Sequence, residues 1–555
     1  MSAGPVLVPA SLARGRRGAV VAPHHLATEA GLGILRAGGS AVDAAIATNA
    51  VLAVVVPESC GIGGDAFWLV WEASARRLHA LNGSGRAPAS ADPGAIRDLG
   101  LETLPLRGPL AITVPGAVRS WDDAHARFGR LSRAEVLAPA IELARDGFPA
   151  WSGFISSVET TLKAIEPVLG TGSAFERVFR PHGRRWRPGE IVRMPALAAT
   201  LERLASVGFD DFYEGDVAER QARGLAAAGC GITAADLRTH ASTWTEPIAT
   251  DYRGVRVTTH RPNSSGIVAL ELLNVLENFE APPPEAFGPN GVTDPRWVHL
   301  GVEASKLVMA DRDAHLTDPD FEDVPVDRLL SKDHAADHAR RIELSHAAAA
   351  PAATVPKGGG TIYLATVDGD GNAVSLIESN YMGFGSGVVD PETGIHYQNR
   401  GSFFSLDPSH ANVLAPGKRT LHTLLPAMLF RPGESGPWVV TGAMGGDAQP
   451  QVNAQVVSAL VDGGVDVASA VAAPRWFVEP EEHFAPPIEV RAEPRFAPGV
   501  LEQLESLGHP VTLTAPFDGR LGHAHAIELV GGGPAAGGSL AAATDPRSAG
   551  LPAVW

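Results

Sequence analysis

The sequence predicts an α+β protein in which helical and strand-forming segments are largely separated along the chain. Residues 119–240 carry apolar residues at helical spacing, as in AEVLAPAIELARDGF and ALAATLERLASVGF. A run with alternating apolar positions, 361–367, and a second apolar run, 373–377, enclose the turn DGDGN, which is typical of a β-hairpin. Because the chain has 555 residues and 45% hydrophobic content, it can bury a large core, and we expect one compact body.

Further elements are expected on both sides of these segments. Residues 38–56 are apolar behind a glycine turn and predict a buried helix, and residues 67–71 predict a strand after the glycines of CGIGG. A helix is expected over residues 297–314, behind the break APPP, and another near residues 452–461. Strands are expected to dominate from residue 361 to about 440, and the tail GGGPAAGGSLAAATDPRSAG is expected to be a loop that enters a last strand.

The charge and cysteine content argue against several kinds of partner and cellular setting. Acidic residues outnumber basic ones by 62 to 45, which argues against nucleic acid or a membrane surface as a partner. The long apolar run over residues 41–57 contains Asp43 and fits a buried helix better than a membrane span. Only Cys60 and Cys230 occur, and the N-terminal segment has no convincing cleavage site, so we expect a cytoplasmic protein without disulfides.

The most informative residue is Thr361, which follows three glycines and begins a strand-like segment. The preceding stretch, HAAAAPAATVPKGGG, lacks an apolar period and predicts a solvated connector. If the chain were cut between Gly360 and Thr361, the threonine would carry a hydroxyl nucleophile and a free α-amine able to act as its base. An ordinary linker that enters an ordinary hairpin would give the same local pattern, so the rest of the chain must decide.

Several longer motifs carry a family resemblance. The segment GTIYLATVDGDGNAVSLIESNYMGFGSGVVDPETGIHYQNRGSFFSLDP, with PGKRTLHTLLPAM and TGAMGGDAQPQ after it, resembles the small subunit of the γ-glutamyltransferase family. Upstream, GGSAVDAAIATNAVLAVVVPESCGIGGDAFWLV, NGSGRAP and TVPGAVRSWDDAHARFG resemble the large subunit. The motifs occur in matching order over roughly residues 18–548.

This resemblance implies a four-layer αββα N-terminal-nucleophile hydrolase fold and a precursor that cleaves itself. Cleavage between Gly360 and Thr361 would give a large fragment, 1–360, and a small fragment, 361–555, which stay together as a heterodimer. Ser379 matches the family's second hydroxyl residue, which hydrogen-bonds the nucleophile. Gly445 and Gly446 match the paired glycines whose N–H groups form the oxyanion hole.

The resemblance also shows where this chain departs from true γ-glutamyl enzymes. The family's acidic residue that binds the donor's α-amine aligns with Phe403, so an ammonium group there would have no carboxylate partner. The family's carboxylate-binding arginine aligns with Ser84, two positions before an arginine of this chain. The residues expected to bind substrate are Arg86, Tyr381, Arg400, His422 and Thr423.

We therefore expect an autoprocessing amidohydrolase or acyltransferase that cleaves a small amide whose acyl group bears a carboxylate and no α-amine. The motifs resemble most a subgroup of glutathione-hydrolase-like, glutaryl-acylase and oxamate-hydrolysing members. Two alternatives stay open, a true γ-glutamyl transferase or glutathione hydrolase and a non-catalytic binding scaffold of the same fold. Arg86 and Arg400 could also be structural, each paired with a buried acid.

No cofactor or metal ion is expected. The pairs His24–His25 and His523–His525 lack partners at the spacing of a zinc site. The glycine-rich runs GIGGDAF and GFGSG lack the Lys-Ser/Thr that completes a phosphate-binding loop.

Overall fold

The computed structural model describes residues 11–348, 360–482 and 485–555. Most of the connector predicted ahead of Thr361 lies outside the described residues. The strands are β1 (Ser11–Gly15), β2 (Ala19–Val21), β3 (Asp65–Glu72), β4 (Arg77–Gly83), β5 (Phe148–Pro149), β6 (Ile191–Val192), β7 (Thr243–Thr245), β8 (Ile248–Tyr252), β9 (Val255–Thr259), β10 (Gly360–Val367), β11 (Ala373–Tyr381), β12 (Pro426–Phe430), β13 (Val439–Met444), β14 (Trp476–Glu482), β15 (Ala485–Ala492), β16 (Val511–Leu513), β17 (His523–Val530), β18 (Ser539–Thr544) and β19 (Ala553–Val554).

The helices are α1 (His25–Arg36), α2 (Ala41–Val55), α3 (Pro93–Asp98), α4 (Ala117–Phe128), α5 (Arg133–Asp146), α6 (Ser152–Leu169), α7 (Ala174–Phe179), α8 (Pro195–Val207), α9 (Asp211–Glu214), α10 (Asp216–Ala227), α11 (Ala234–Thr239), α12 (Gly266–Leu276), α13 (Pro295–His315), α14 (Val326–Leu329), α15 (Lys332–Ala339), α16 (Gln449–Val461), α17 (Val467–Ala472) and α18 (Val500–Ser506). Within the described ranges, none of these helices combines the length and apolar character needed to span a membrane.

Two seven-stranded sheets form the centre of the molecule. One has the strand order β1-β18-β17-β13-β12-β9-β8, and the other has the order β19-β2-β10-β11-β3-β4-β7. The pairings within both sheets are antiparallel. A three-stranded sheet, β14-β15-β16, and the short pair β5-β6 complete the strands of the described chain.

Alternation along the strands assigns their side chains to two different cores. Tyr363 and Ala365 of β10 pack with Met428 of the facing sheet in a cluster between the sheets. Ile362 and Leu364 point the other way, into the core that α1, α2, α4, α5 and α6 cover. Helices α12, α13, α16 and α17 cover the outer face of the first sheet in the same way. The fold is therefore the four-layer αββα arrangement of N-terminal-nucleophile hydrolases.

The elements expected from strong local patterns are confirmed. The apolar run behind the glycine turn is α2, all of whose residues are buried, and a capping box of Ser40 with Asp43 begins it. The hairpin β10–β11 encloses the predicted turn, and α13 and α16 occupy the expected ranges. The expected strand over residues 67–71 lies within β3, and residues 119–240 are helical apart from β5 and β6 and the loops.

Two expectations about strands were wrong. Residues 382–425 form turns, a short 3-10 helix and isolated bridges rather than a run of strands. Gly385, Gly387 and Gly394 adopt positive φ there, at 61°, 76° and 72°, and these conformations turn the chain away from an extended path. In the tail, the segment expected to be a loop contains β18, which pairs with both β1 and β17.

Candidate active site

A β-bulge positions Thr361 at the start of β10. The pairing of β10 with β11 shifts register between Gly360 and Ile362, so β11 contributes one extra residue at this point. A bulge locally re-aims side chains, and here it sets Thr361 against Ser379. Thr361 is 2% exposed, in a strand near the middle of its sheet.

The Ser379 hydroxyl contacts both the expected nucleophile and the carbonyl before it. Its Oγ lies 3.0 Å from Thr361 Oγ1 and donates a hydrogen bond of 2.7 Å to the carbonyl oxygen of Gly360. The backbone N–H of Tyr381 donates to the same Oγ at 2.7 Å. A hydroxyl that donates to a carbonyl oxygen polarises that carbonyl and stabilises the negative charge that attack by Thr361 would create.

Gly360 is packed too tightly for any side chain. A Cβ at this position would lie 2.6 Å from the carbonyl oxygen of Glu58 and 3.0 Å from the backbone nitrogen of Gly383. Both neighbours are backbone atoms, so neither can rotate away. The residue before the expected cleavage point must therefore be glycine.

Glu58 itself was not expected at the site. Glu58 and Thr361 line the same cavity, of about 250 Å³. Burial raises the pKa of Glu58 to about 8. Its Oε2 accepts no hydrogen bond from the described residues. A carboxyl group with this pKa can give or take a proton near neutral pH.

Arg400 is a buried cation beside the two hydroxyl residues. Its side chain is 1% exposed, and it donates hydrogen bonds to Thr423 Oγ1 at 3.1 Å and to Ser379 Oγ at 3.3 Å. Within the described part of the chain, no carboxylate forms an ion pair with it, and its Nε has no partner. Burial lowers the pKa of Arg400 to about 10, so the guanidinium stays charged at neutral pH.

Two aromatic rings cover this guanidinium. Its Cζ lies 4.6 Å from the ring centre of Tyr381 and 5.3 Å from that of Phe403, and the two ring centres are 4.5 Å apart. Tyr381 has φ of 74°, which is rare for a residue with a side chain. Strain of this kind is concentrated at functional sites, and here it accompanies the Tyr381 N–H that reaches Ser379.

Asp65 is a second residue that sequence reasoning missed. It opens β3 and pairs across the sheet with Ser379. Its Oδ1 accepts the N–H groups of Gly85 at 2.9 Å and Gly116 at 3.2 Å, and its Oδ2 accepts His422 Nε2 at 3.1 Å. An acidic residue that begins a buried strand directly behind glycines is the sequence signal that could have revealed it.

The protonation states of Asp65 and His422 depend on their burial. Burial raises the pKa of Asp65 to about 7, although the nearby Arg400 charge lowers it. Burial, together with the charge of Arg400, holds the pKa of His422 well below its usual value. His422 is therefore neutral, and its Nε2 donates to Asp65 when that carboxyl group is ionised. Its Nδ1 is an acceptor without a partner among the described residues.

The Gly445-Gly446 turn joins β13 to α16 at the edge of this group. The two glycines have φ of 149° and 56°. With its amide nitrogen facing acceptors, Gln449 at the start of α16 donates to the carbonyl oxygen of Thr423 at 2.8 Å. The helix that follows the turn thus reaches Thr423, and the N–H groups of the turn precede the N-terminus of that helix, where negative charge is favoured.

Arg86 has different partners from Arg400. It contacts Asp318 at 3.2 Å and Asp320 at 2.7 Å, and it also donates to the carbonyl oxygen of Gly417 at 3.0 Å. Its side chain is 30% exposed. Two carboxylates already neutralise this guanidinium, so its contacts favour the structural alternative for Arg86.

Comparison with known proteins gives one consistent family. The family model described as gamma-glutamyltranspeptidase matches residues 27–555. The glutathione hydrolase-like YwrD proenzyme of Bacillus subtilis is 40% identical over 540 residues, covering 97% of this chain and 98% of that protein. The oxamate amidohydrolase proenzyme of Klebsiella pneumoniae is 39% identical over 543 residues, with the same two coverages. Among solved structures, cephalosporin acylase from Bacillus halodurans superimposes with a TM-score of 0.89 at 38% identity, covering 100% of this chain and 99% of that chain.

Proposed function

The chain belongs to the gamma-glutamyltranspeptidase family of N-terminal-nucleophile hydrolases, and from that premise we propose that it is an autoprocessing threonine amidohydrolase for amides with a carboxylate-bearing acyl group. The acyl donor carries no α-amine. The single observation that supports this choice is the buried Arg400, which has hydroxyl partners and no described acidic partner. The relatives are hydrolases, so the chain is an enzyme of this family rather than a binding scaffold.

Maturation begins when Thr361 Oγ attacks the carbonyl carbon of Gly360. The C–N bond between the two residues breaks, the peptide nitrogen takes up a proton, and an ester forms on Oγ. Water then hydrolyses the ester, which leaves a carboxylate on Gly360 and a free α-amine on Thr361. The Ser379 hydroxyl, 2.7 Å from the Gly360 oxygen, is placed to stabilise the oxyanion of the first step.

The two fragments, 1–360 and 361–555, would remain a heterodimer. Strand β10 of the small fragment pairs with β2 of the large one, and β11 pairs with β3. Separation would break both ladders and expose the core between the sheets. Both cysteines are free and buried, which suits the cytoplasm that we propose as the location.

Turnover uses the same nucleophile with its freed amine as the base. Thr361 Oγ attacks the amide carbonyl of the donor, the amine leaves with a proton, and water releases the acid from the acyl ester. The N–H groups of Gly445 and Gly446 stabilise the oxyanion in both halves. Arg400 binds the donor's carboxylate, because a charged, buried fork of N–H donors matches that group in geometry and charge.

The relatives are consistent with this substrate class. One of them is named for oxamate, a small amide that carries a carboxylate and has no α-amine. Another similar structure is a cephalosporin acylase, and a third relative is named only as glutathione hydrolase-like. Among substrates of different size, the carboxylate is the feature that Arg400 would recognise.

A true γ-glutamyl donor is the second candidate, and Asp65 is the observation that favours it. A buried carboxyl group near Arg400 could receive the donor's ammonium group. However, both oxygens of Asp65 already accept hydrogen bonds, and three donors share them. An ammonium group would have to displace one of these donors, so we prefer a donor without the amine.

Intact-mass analysis under denaturing conditions tests maturation. The wild-type chain is expected to give two fragments that join at Gly360 and Thr361, whereas the Thr361→Ala variant gives one uncut chain. Fragments in the variant would show that another residue performs the cleavage.

A matched substrate pair tests the acyl group. Glutaryl p-nitroanilide and γ-glutamyl p-nitroanilide differ only in the α-amine, so the ratio of their kcat/KM values isolates that group. We expect the glutaryl compound, and oxamate as a third substrate, to be preferred. A clear preference for the γ-glutamyl compound would establish the second candidate instead.

A further inference from the structure

Helices α12, α13 and α15 enclose a cluster of histidine and acidic side chains that the proposed reaction does not use. Asp311 of α13 places its Oδ2 2.7 Å from Nε2 of His334 and 2.7 Å from Nε2 of His338. The two histidines are four residues apart on α15, so they lie on the same face of that helix. Two imidazole nitrogens and one carboxylate oxygen thus converge on one point.

This donor set suits a divalent transition-metal ion. Zinc and related ions bind imidazole nitrogen and carboxylate oxygen at about 2.0–2.2 Å, which separates neighbouring ligands of a tetrahedral site by about 3.3 Å. The two nitrogens of the cluster approach the Asp311 oxygen at 2.7 Å. A shift of about half an ångström in each side chain would therefore open room for the ion. His334 and Asp311 are only partly buried, so such an ion has a path from solvent.

A buried acidic side chain of α12 lies near the cluster. Glu271 of α12 is 2% exposed and lies within electrostatic range of Asp311. Neither of its carboxylate oxygens has a hydrogen-bond partner among the described residues. A buried carboxylate without partners is costly unless a proton or a cation compensates it. Burial raises the pKa of Glu271 well above its usual value, so a proton compensates this side chain in the described structure.

A second group of the same residue types shows the contrast. His299, Glu303 and His509 also bring their ligating atoms together, and all three are buried. There, Lys306 donates to Glu303 Oε1 at 2.6 Å and supplies the positive charge. His509 Nε2 meets His299 Nδ1 at 2.8 Å instead of a common carboxylate oxygen. This group is already satisfied by the chain's own side chains.

We propose that Asp311, His334 and His338 bind a divalent transition-metal ion of the zinc class, which ties α15 to α13. From the sequence we expected no metal ion, because the histidine pairs considered there were different ones. Those pairs have other contacts, since His24 caps α1 and His525 Nδ1 accepts the N–H of Asp545 at 3.1 Å.

The site would support the helix that reaches the candidate active site. Arg312, the residue after Asp311 on α13, forms a buried ion pair with Asp447, which directly follows the Gly445-Gly446 pair. An ion at Asp311 would therefore fix the end of α13 that holds this ion pair. Its role is structural, and no step of the proposed hydrolysis passes through it.

Metal binding changes one hydrogen bond of the cluster. Arg341 donates to His338 Nδ1 at 3.2 Å, which keeps the ring proton on Nε2. A metal on Nε2 moves that proton to Nδ1, and the exposed Arg341 side chain must then turn away. Replacing Arg341 with glutamine supplies an oxygen that can accept the Nδ1 proton. The Arg341→Gln variant should therefore bind the ion several-fold more tightly than the wild type.

Calorimetric titration with Zn²⁺ alone tests the proposal on the full chain after treatment with a chelator. We expect one equivalent to bind, with affinity roughly 10–100-fold weaker in His334→Gln and His338→Gln. His509→Gln is the matched control and should bind as the wild type does. Absorption of the Co²⁺-loaded protein should show a tetrahedral spectrum that His334→Gln loses. Failure of the wild type to bind one equivalent, or unchanged binding in both ligand variants, would overturn the proposal.

Discussion

Two sets of buried arginine side chains, the pair Arg475 and Arg547 and the single Arg400, have opposite surroundings. Arg475 donates to Asp545 Oδ2 at 2.6 Å, and Arg547 pairs with Asp545 at 3.0 Å and with Glu493. Backbone carbonyl oxygens accept further N–H groups of both. Arg400 is equally buried, yet its partners are two hydroxyl groups and two aromatic rings.

The difference shows that burial alone does not mark a functional arginine. In the Arg475–Arg547 group the chain satisfies its own charges, and the arginines hold the pKa of Asp545 well below its usual range. At Arg400 the positive charge is left for something else to neutralise. The first arrangement stabilises the fold, and we propose that the second prepares a site for an anion.

The largest effect is expected from breaking the paired group. Asp545→Asn keeps the shape of the side chain. The two guanidinium groups then face an amide whose NH2 group can only donate hydrogen bonds. Removing one partner of a buried ionic group typically costs about 3–5 kcal/mol. Denaturant unfolding should show that loss in the free energy of unfolding, while the folded fraction keeps its activity. A change below about 1 kcal/mol would mean that this group is no more paired than Arg400.

Substitution of Arg400 should have the opposite signature. Arg400→Met is expected to leave the free energy of unfolding within about 1 kcal/mol, since a buried charge gives way to an apolar side chain. The kcat/KM for glutaryl p-nitroanilide should fall roughly 10²–10³-fold, because a buried charge-assisted contact to the substrate is lost. Butyryl p-nitroanilide, which lacks the carboxylate, is the control and should react equally with both proteins. An equal loss for both substrates would assign Arg400 to the fold instead.

Ser379 sharpens the comparison, because its hydroxyl connects Arg400 to Thr361, the proposed nucleophile. Ser379→Ala removes the donor to the Gly360 carbonyl and should slow self-cleavage roughly 100-fold. Ser379→Thr keeps the hydroxyl and should cleave at a rate near that of the wild type. The time course of fragment formation on denaturing gels measures both. Equal rates for the alanine variant and the wild type would remove Ser379 from the maturation step.

Local patterns predicted the parts of the fold that depend on neighbours in sequence. The β10–β11 hairpin follows from period-two alternation and an Asp/Gly/Asn turn, and α2 follows from its apolar run and its cap. The strands expected over residues 382–425 were wrong, because glycines with positive φ redirect that segment. The apolar residues of this segment pack in the core without forming a continuous strand ladder.

The candidate site was only partly accessible from sequence. Thr361, Ser379 and Arg400 could be proposed because they stand in motifs that resemble a family. The pair of Asp65 with His422 joins residues 357 positions apart, and no local pattern reports such a contact. The same limit applies to Arg86, whose neutralising partners, Asp318 and Asp320, are more than two hundred residues away.

The smallest expected effect is a pH dependence set by Asp65. Its pKa is raised to about 7, so below that pH the carboxyl is neutral and Arg400 presents its full charge to the substrate. Above it, ionised Asp65 repels the substrate's carboxylate and offsets part of that charge. We expect KM for glutaryl p-nitroanilide to rise about fivefold as pH increases through 7, equivalent to roughly 1 kcal/mol.

Ionisation of Asp65 also makes the free energy of unfolding depend on pH. Because the folded protein holds the Asp65 proton up to about pH 7 while the unfolded chain releases it near 4, the folded state binds more protons in between. The contribution of Asp65 to stability therefore falls as pH rises through that window and is level above it.

Asp65→Asn should flatten the pH profiles of KM and of the free energy of unfolding, because the amide keeps the shape without the charge. His422, which is neutral, can accept from the new amide through Nε2. A KM profile with the same step in Asp65→Asn would place the titrating group elsewhere, with Glu58, whose pKa is raised to about 8, as the next residue to replace.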